Sequence, residues 1–126
     1  LNIDQKRELE EGLPGFTGTE EYHRVQTFRR KPVYATDGVK FLCDKAGSYW
    51  LMDIIASWQK ALLGEMFQTW KLVVDPRRSA QTTCTDGNNN TLVTQAIPFT
   101  DFPLDEINLY AQVDVEKIVI MLPGEY

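Results

Sequence analysis

Phe67-Gln68-Thr69-Trp70-Lys71-Leu72-Val73-Val74-Asp75 is where the chain changes its period. Gln68, Trp70, Leu72 and Val74 alternate with Thr69, Lys71, Val73 and Asp75. Side chains along a strand point to opposite faces in turn, so this alternation predicts a strand with its bulkier face against a core. Asp75-Pro76-Arg77-Arg78-Ser79 reads as a turn, and Ala80 to Thr85 as a thin, Thr-rich strand. Asp86-Gly87-Asn88-Asn89-Asn90 is a hairpin signal, because Gly and Asn tolerate positive φ. Thr91 to Phe99 returns with Val93, Ile97 and Phe99 on one face, and Pro98 marks an edge or a bulge. Residues 67–99 therefore predict an antiparallel meander.

Upstream, helical signals dominate. Ile3 to Glu11 is charged and helix-tolerant and is stopped by Gly12, Pro14 and Gly15, which predicts a short helix or a loose arm over 1–15. Thr19 followed by Glu20 and Glu21 has the chemistry of a helix start, predicting a short helix through about Val25. Arg29-Arg30-Lys31-Pro32 reads as an exposed loop and Val33-Tyr34-Ala35 as a short strand. Val39, Leu42, Cys43 and Ala46 fall at helical spacing before Gly47. Ser48 then caps a longer helix from Tyr49 to Leu63, stopped by Gly64. Its wide apolar stripe predicts a central helix, in which Trp58→Ala would cost about 3–5 kcal/mol.

Downstream of the meander, Asp101 and Pro103 suit a helix start, with Leu104, Ile107, Leu109 and Tyr110 as its apolar side. Val115 to Leu122 ends the chain as a strand whose Ile118-Val119-Ile120-Met121-Leu122 run predicts burial on both faces. The expected fold is α+β: one domain over 1–126, with N-terminal helices packed on an antiparallel sheet made of the 67–99 meander and the 115–122 strand.

Six phrases stand in order along the chain: Phe16-Thr17-Gly18-Thr19-Glu20, Thr36-Asp37-Gly38-Val39-Lys40, Tyr49-Trp50-Leu51, Phe67 to Leu72, Thr100 to Leu104, and Met121-Leu122-Pro123-Gly124-Glu125-Tyr126. Together they resemble a family of small uncharacterised proteins from bacterial genomes, plasmids and phages, a domain of unknown function. The resemblance spans residues 16–126. It implies an intracellular domain often carried on mobile DNA, and it brings no catalytic residue and no ligand with it.

Thirteen basic residues stand against eighteen acidic ones, giving a net charge of −5. Residues 1–45 hold eight of each and are neutral, so the whole imbalance lies in the later half. That argues against general nucleic-acid binding, which needs a basic face. No apolar run approaches the roughly 20 residues of a membrane span. Cys43 and Cys84 read as reduced thiols in a cytoplasm, Cys43 as a small core residue. With one histidine and no Cys-x-x-Cys spacing, no metal site and no cofactor are expected.

Three functional readings follow. The first is a non-enzymatic module that binds another protein or itself, resting on a heavy aromatic allotment. Tyr49 and Phe102, each at an element's start, are its expected exposed contacts. The second is a small-molecule site or unrecognised enzyme in which His23 meets the Thr-Asp turns at Asp37, Asp86 and Asp101. Turn and cap chemistry accounts for the same three aspartates. The third is weak nucleic-acid binding through Arg29, Arg30 and Lys31, which equally suit an ordinary solvated loop.

Overall fold

The meander forms as three strands, β3 (Phe67–Val74), β4 (Ala80–Thr85) and β5 (Thr91–Ile97). Gln68, Trp70, Leu72 and Val74 are buried, whereas Phe67, Thr69, Lys71 and Val73 lie on a face that keeps contact with solvent. The computed structural model describes residues 3–126; Leu1 and Asn2, part of the expected 1–126 domain, lie outside the described residues. The hairpin turn uses positive φ at Gly87 and Asn89, as its composition predicts.

Four further strands complete one seven-stranded sheet: β1 (Tyr22–Phe28), β2 (Lys31–Thr36), β6 (Glu106–Val113) and β7 (Ile118–Met121). Their order is β1-β2-β7-β6-β3-β4-β5, antiparallel throughout except for β2 beside β7. β7 is buried at every position, matching the apolar run at 118–121.

Two of these strands correct the sequence reading. Residues 19–25 hold no helix: the Thr19 hydroxyl donates to Glu21 O and accepts from Asp37 N, so it ties two loops together. Residues 104–110 hold no helix either. Ile107, Leu109, Ala111 and Val113 form the inward face of β6, and their 2-residue spacing beats the i, i+3 coincidence of Leu104, Ile107 and Tyr110 once β3 and β7 pair with the strand.

Among the described residues three α-helices, α1 (Ile3–Gly12), α2 (Asp37–Ala46) and α3 (Tyr49–Ser57), cover the other face. α1 is no loose arm, since Leu9 is fully buried and α1 packs on α2. α3 is shorter than expected. Gln59 Nε2 donates to Ile55 O at 2.9 Å, taking the carbonyl that the Gln59 backbone would use in a continuing helix, and the chain proceeds in i→i+3 turns. Trp58 is thus the half-buried C-cap of α3, not its middle. Ser48 makes no side-chain cap bond, and its hydroxyl is buried without a partner.

Thr82 Oγ1, on the helix-facing side of β4, is likewise buried without a hydrogen-bond partner. Thr82→Val keeps the β-branched shape and removes a desolvated hydroxyl, so it is expected to stabilise by about 1–2 kcal/mol. A lower denaturant midpoint for the variant would show that the hydroxyl is satisfied after all.

Candidate functional site

α2 begins where three distant segments meet. Thr36 is its N-cap and accepts from Val39 N, while Asp37 opens the first turn. His23 on β1 donates from Nε2 to Asp37 Oδ1 at 2.8 Å, and Glu20 N donates to Asp37 Oδ2 at 2.9 Å. From the C-terminal turn, Glu125 accepts from the Thr36 hydroxyl at 2.6 Å and from Gly38 N at 3.0 Å. The amides of the helix start are thereby satisfied by the local cap Thr36 at Val39 and by side chains from elsewhere in the chain at Asp37 and Gly38.

Glu21, His23 and Asp37 place one ligand atom each within 4.8 Å of one another, a donor set with metal-ligand character among the described residues. Both Asp37 oxygens are already accepting hydrogen bonds, and the positive end of α2 opposes a cation there. The arrangement suits a structural His–Asp pair. It also has an acid signature. The His23 contact and the Glu20 amide hold the Asp37 carboxyl below its ordinary value of 3.8. Asp44, Asp75, Asp86 and Asp114 are lowered too, led by Lys40, Ser79, Asn90 and the Lys117 amide respectively.

A carboxyl with a depressed folded pKa binds fewer protons folded than unfolded. Its stabilisation is complete above the ordinary value and is lost as pH falls through the folded one. Denaturant midpoints are therefore expected to fall steeply below about pH 4. Asp37→Asn should be less stable than the parent at neutral pH, and the difference should narrow in acid. A gap independent of pH would remove the carboxylate from the explanation.

The other aspartates do not join His23. Asp86 folds back on its own turn, accepting from Asn88 N and Asn90 Nδ2. It is four strand positions from Asp37 across the sheet, on the order of 19 Å at the usual strand spacing. Asp101 follows Thr100, whose amide bonds Arg78 O at the opposite end of β4. Phe102, expected to be exposed, is fully buried and packs edge-on against Trp50. Tyr49 is 39% exposed, but its hydroxyl is committed to Asp44.

Arg29 and Arg30 form the β1–β2 turn with φ of 49° and 70°, while Lys31 opens β2 and donates to Asp114 O at 2.6 Å. Two adjacent positive-φ residues suit Asn-Gly better than Arg-Arg. Arg29→Asn with Arg30→Gly is expected to raise stability by about 1 kcal/mol, read as a higher denaturant midpoint. No gain would indicate that the Arg29 contact with the Phe28 ring offsets the backbone strain. Both thiols are buried, which raises Cys43 to about 11 and Cys84 to about 12 and leaves them protonated at neutral pH.

The less expected feature lies on the sheet face away from the helices. Phe67, Tyr110 and Tyr126 form a mutual edge-to-face cluster with centroids 5.0, 5.4 and 5.7 Å apart. Tyr22 and Tyr34 form a second pair on this face, 6.2 Å apart. The C-terminal turn carrying Tyr126 has a hollow on either side. One, of about 550 Å³, is floored by Thr69, Lys71, Thr83, Asn108 and Tyr110. The other, of about 480 Å³, lies among Tyr22, Gln112, Val119, Met121 and Tyr126. Two lysines of the face are paired, Lys71 with Glu106 and Lys117 with Asp114, while Arg24, opposite Tyr34 on β1, bonds the Thr27 hydroxyl. Sequence reading misses this cluster because the helix expected from Asp101 through Tyr110 takes Tyr110 out of the sheet. The alternation of Glu106 to Val113 was the available signal.

Residues 7–126 match the model of a family of unknown function (DUF6876), and the chain belongs to that family. A crystal structure of a protein of unknown function from Enterococcus faecalis has a similar fold, with a TM-score of 0.54 and 18% identity. The match covers 84% of this chain and 98% of that one. No curated protein matches the chain.

Proposed function

We propose that this DUF6876 member is a non-enzymatic protein-interaction module that holds a partner protein on the open face of its sheet. The observation that carries this reading is the Phe67–Tyr110–Tyr126 cluster, set between two hollows on a face that the helices leave uncovered. Tyrosines supply large, rigid contact area with a polar tip, which is why they concentrate at binding hot spots. Tyr22 is 56% and Tyr126 72% exposed. With Lys71 and Lys117 already held by carboxylates, Arg24 is, among the described residues, a lone cation on the face, which suits a partly apolar protein surface better than a polyanion. The dispersal of Asp37, Asp86 and Asp101 weighs against an enzyme built on the Thr-Asp turns. We read the module as acting in a bacterial cytoplasm, a reading supported by the resemblance of its six phrases to proteins of bacterial genomes and mobile DNA. Among the described residues, no helix is long and apolar enough to cross a membrane.

The test is affinity purification from the native host with an N-terminally tagged chain and its Tyr22→Ser, Tyr126→Ser variant. Both positions are exposed, so melting should be nearly unchanged. A protein partner retained by the parent and lost with the variant is the expected outcome. Equal retention by both would move the interface off this face, and retention of no protein by either would sink the reading.

A further inference from the structure

On the helix side of the sheet, one end stays unfilled. Phe28 and Lys31 stand opposite each other in register at the β1–β2 turn, and Ile118 at the start of β7 pairs with Val33 and Val113. The i→i+3 turns that follow α3 bring Leu62, Leu63 and Met66 to this end. Between them lies a hollow of about 220 Å³, open to solvent, with Val115 also on its wall. Leu63, Met66 and Val115 are exposed, Val115 at 89%, and contiguous apolar exposure of this kind marks binding sites. The polar groups behind the wall are already engaged, the Gln59 amide with Ile55 O and Gln68, and Val113 N with Met66 O.

Two cations stand at this apolar hollow, neither with a carboxylate partner among the described residues. The Lys31 ammonium donates to Asp114 O at 2.6 Å, which leaves two of its three N–H donors for a ligand. Arg29 holds its guanidinium 5.3 Å from the ring centre of Phe28, a wall residue. Asp114, the acidic wall residue, is turned to its own loop, where it accepts from Glu116 N and Lys117 N. Keeping arginines in this turn costs stability, since Arg29 and Arg30 hold φ of 49° and 70°, and retained strain of that kind clusters at ligand sites. We propose that the hollow binds a compact amphiphilic carboxylate, its apolar body against Leu62, Met66 and Ile118 and its carboxylate on Lys31 and Arg29. A methylene takes about the volume of a water molecule, roughly 30 Å³, so the space suits about seven carbons or one substituted ring. The charge-assisted bond forms beside an apolar wall, where it is stronger than in open water. An uncharged apolar molecule would leave both cations unmatched, and a polyanion would leave the apolar wall uncovered. The hollow lies on the opposite side of the sheet from the Phe67–Tyr110–Tyr126 cluster, so either proposal can fail without the other.

Octanoate titrated into the full chain, with methyl resonances followed by NMR, tests it beside 1-octanol and acetate. Octanoate is expected to shift the methyls of Leu62, Leu63, Val113 and Val115 and to saturate at one per chain, half-saturating at about 1 mM or below. Acetate, which lacks the apolar body, should bind at least about tenfold more weakly. Lys31→Met keeps the stem and removes the ammonium, so it should weaken octanoate by about tenfold and leave 1-octanol unchanged. A loss shared equally by 1-octanol would make Lys31 merely structural and count against the proposal. Should Lys31→Met fail to fold, the Arg29→Asn, Arg30→Gly protein, expected to be more stable than the parent, decides, and it should bind octanoate several-fold more weakly. Methyl shifts centred elsewhere, no binding to the parent, or an octanoate affinity indifferent to the loss of these cations overturns the proposal.

Discussion

Trp70→Ala is expected to lower the unfolding free energy by about 3–5 kcal/mol, a large part of the 5–15 kcal/mol available to a domain of this kind. Trp70 is only 2% exposed and stands on β3 with Cys84 of β4 and Leu109 of β6 as its neighbours across the strands. Strands on both sides hold the backbone, so the cavity cannot close. The indole N–H donates to Gln68 Oε1 at 3.0 Å. Gln68 and Gln59 exchange reciprocal amide hydrogen bonds of 2.9 Å, so Gln68 keeps a donor when the indole is lost. The loss is thus mainly one of packing. Trp58→Ala should cost clearly less than Trp70→Ala, because Trp58 is half-buried at the end of α3 and its indole bonds only Gln95 at the sheet edge. Urea unfolding followed by far-UV circular dichroism measures both without relying on indole fluorescence. A larger loss for Trp58 than for Trp70 would contradict the packing described.

That contrast also shows which features the sequence makes legible. The alternation at 67–74 identifies β3 and its buried face, because strand period and burial agree residue by residue. α2 is legible through Val39, Leu42, Cys43 and Ala46, all buried, and through Gly47, whose φ of 63° ends it. Local signals mislead where a tertiary partner overrides them. Thr19-Glu20-Glu21 has helix-start chemistry, yet the Thr19 hydroxyl serves Asp37, eighteen residues away. Asp101 and Pro103 imitate a cap, while the alternation of Ile107, Leu109, Ala111 and Val113 is realised only beside β3 and β7. For the site, residue types were visible but not their convergence. His23 and Asp37 meet, but Tyr126 reaches Phe67 and Tyr110 only because the chain turns back after β7. Nothing periodic encodes that closure.

The same closure underlies the second large effect, at Gly38. In a helix, replacing Gly by Ala ordinarily gains about 1 kcal/mol. Here the new Cβ would lie 2.5 Å from Leu122 Cδ1 and 2.6 Å from Glu125 Oε1. Side-chain ends can move, so the sign depends on what the move breaks. The Glu125 carboxylate accepts from Thr36 Oγ1, Gly38 N and Leu122 N at 2.6, 3.0 and 3.0 Å. Hydrogen bonds to a charged group contribute about 1.5–3 kcal/mol each, so losing two of the three outweighs the helix gain. Gly38→Ala is expected to cost about 2–4 kcal/mol net. Glu125→Ala should cost a similar amount by removing the acceptor. The two must be strongly non-additive, because both act through one carboxylate. In the Glu125→Ala background, Gly38→Ala should cost little or become favourable, with only Leu122 left to turn aside. A denaturation cycle over the four proteins reads this coupling directly. Additive losses, or a single Gly38→Ala that gains the ordinary helix increment, would mean that the C-terminal carboxylate does not clamp the start of α2.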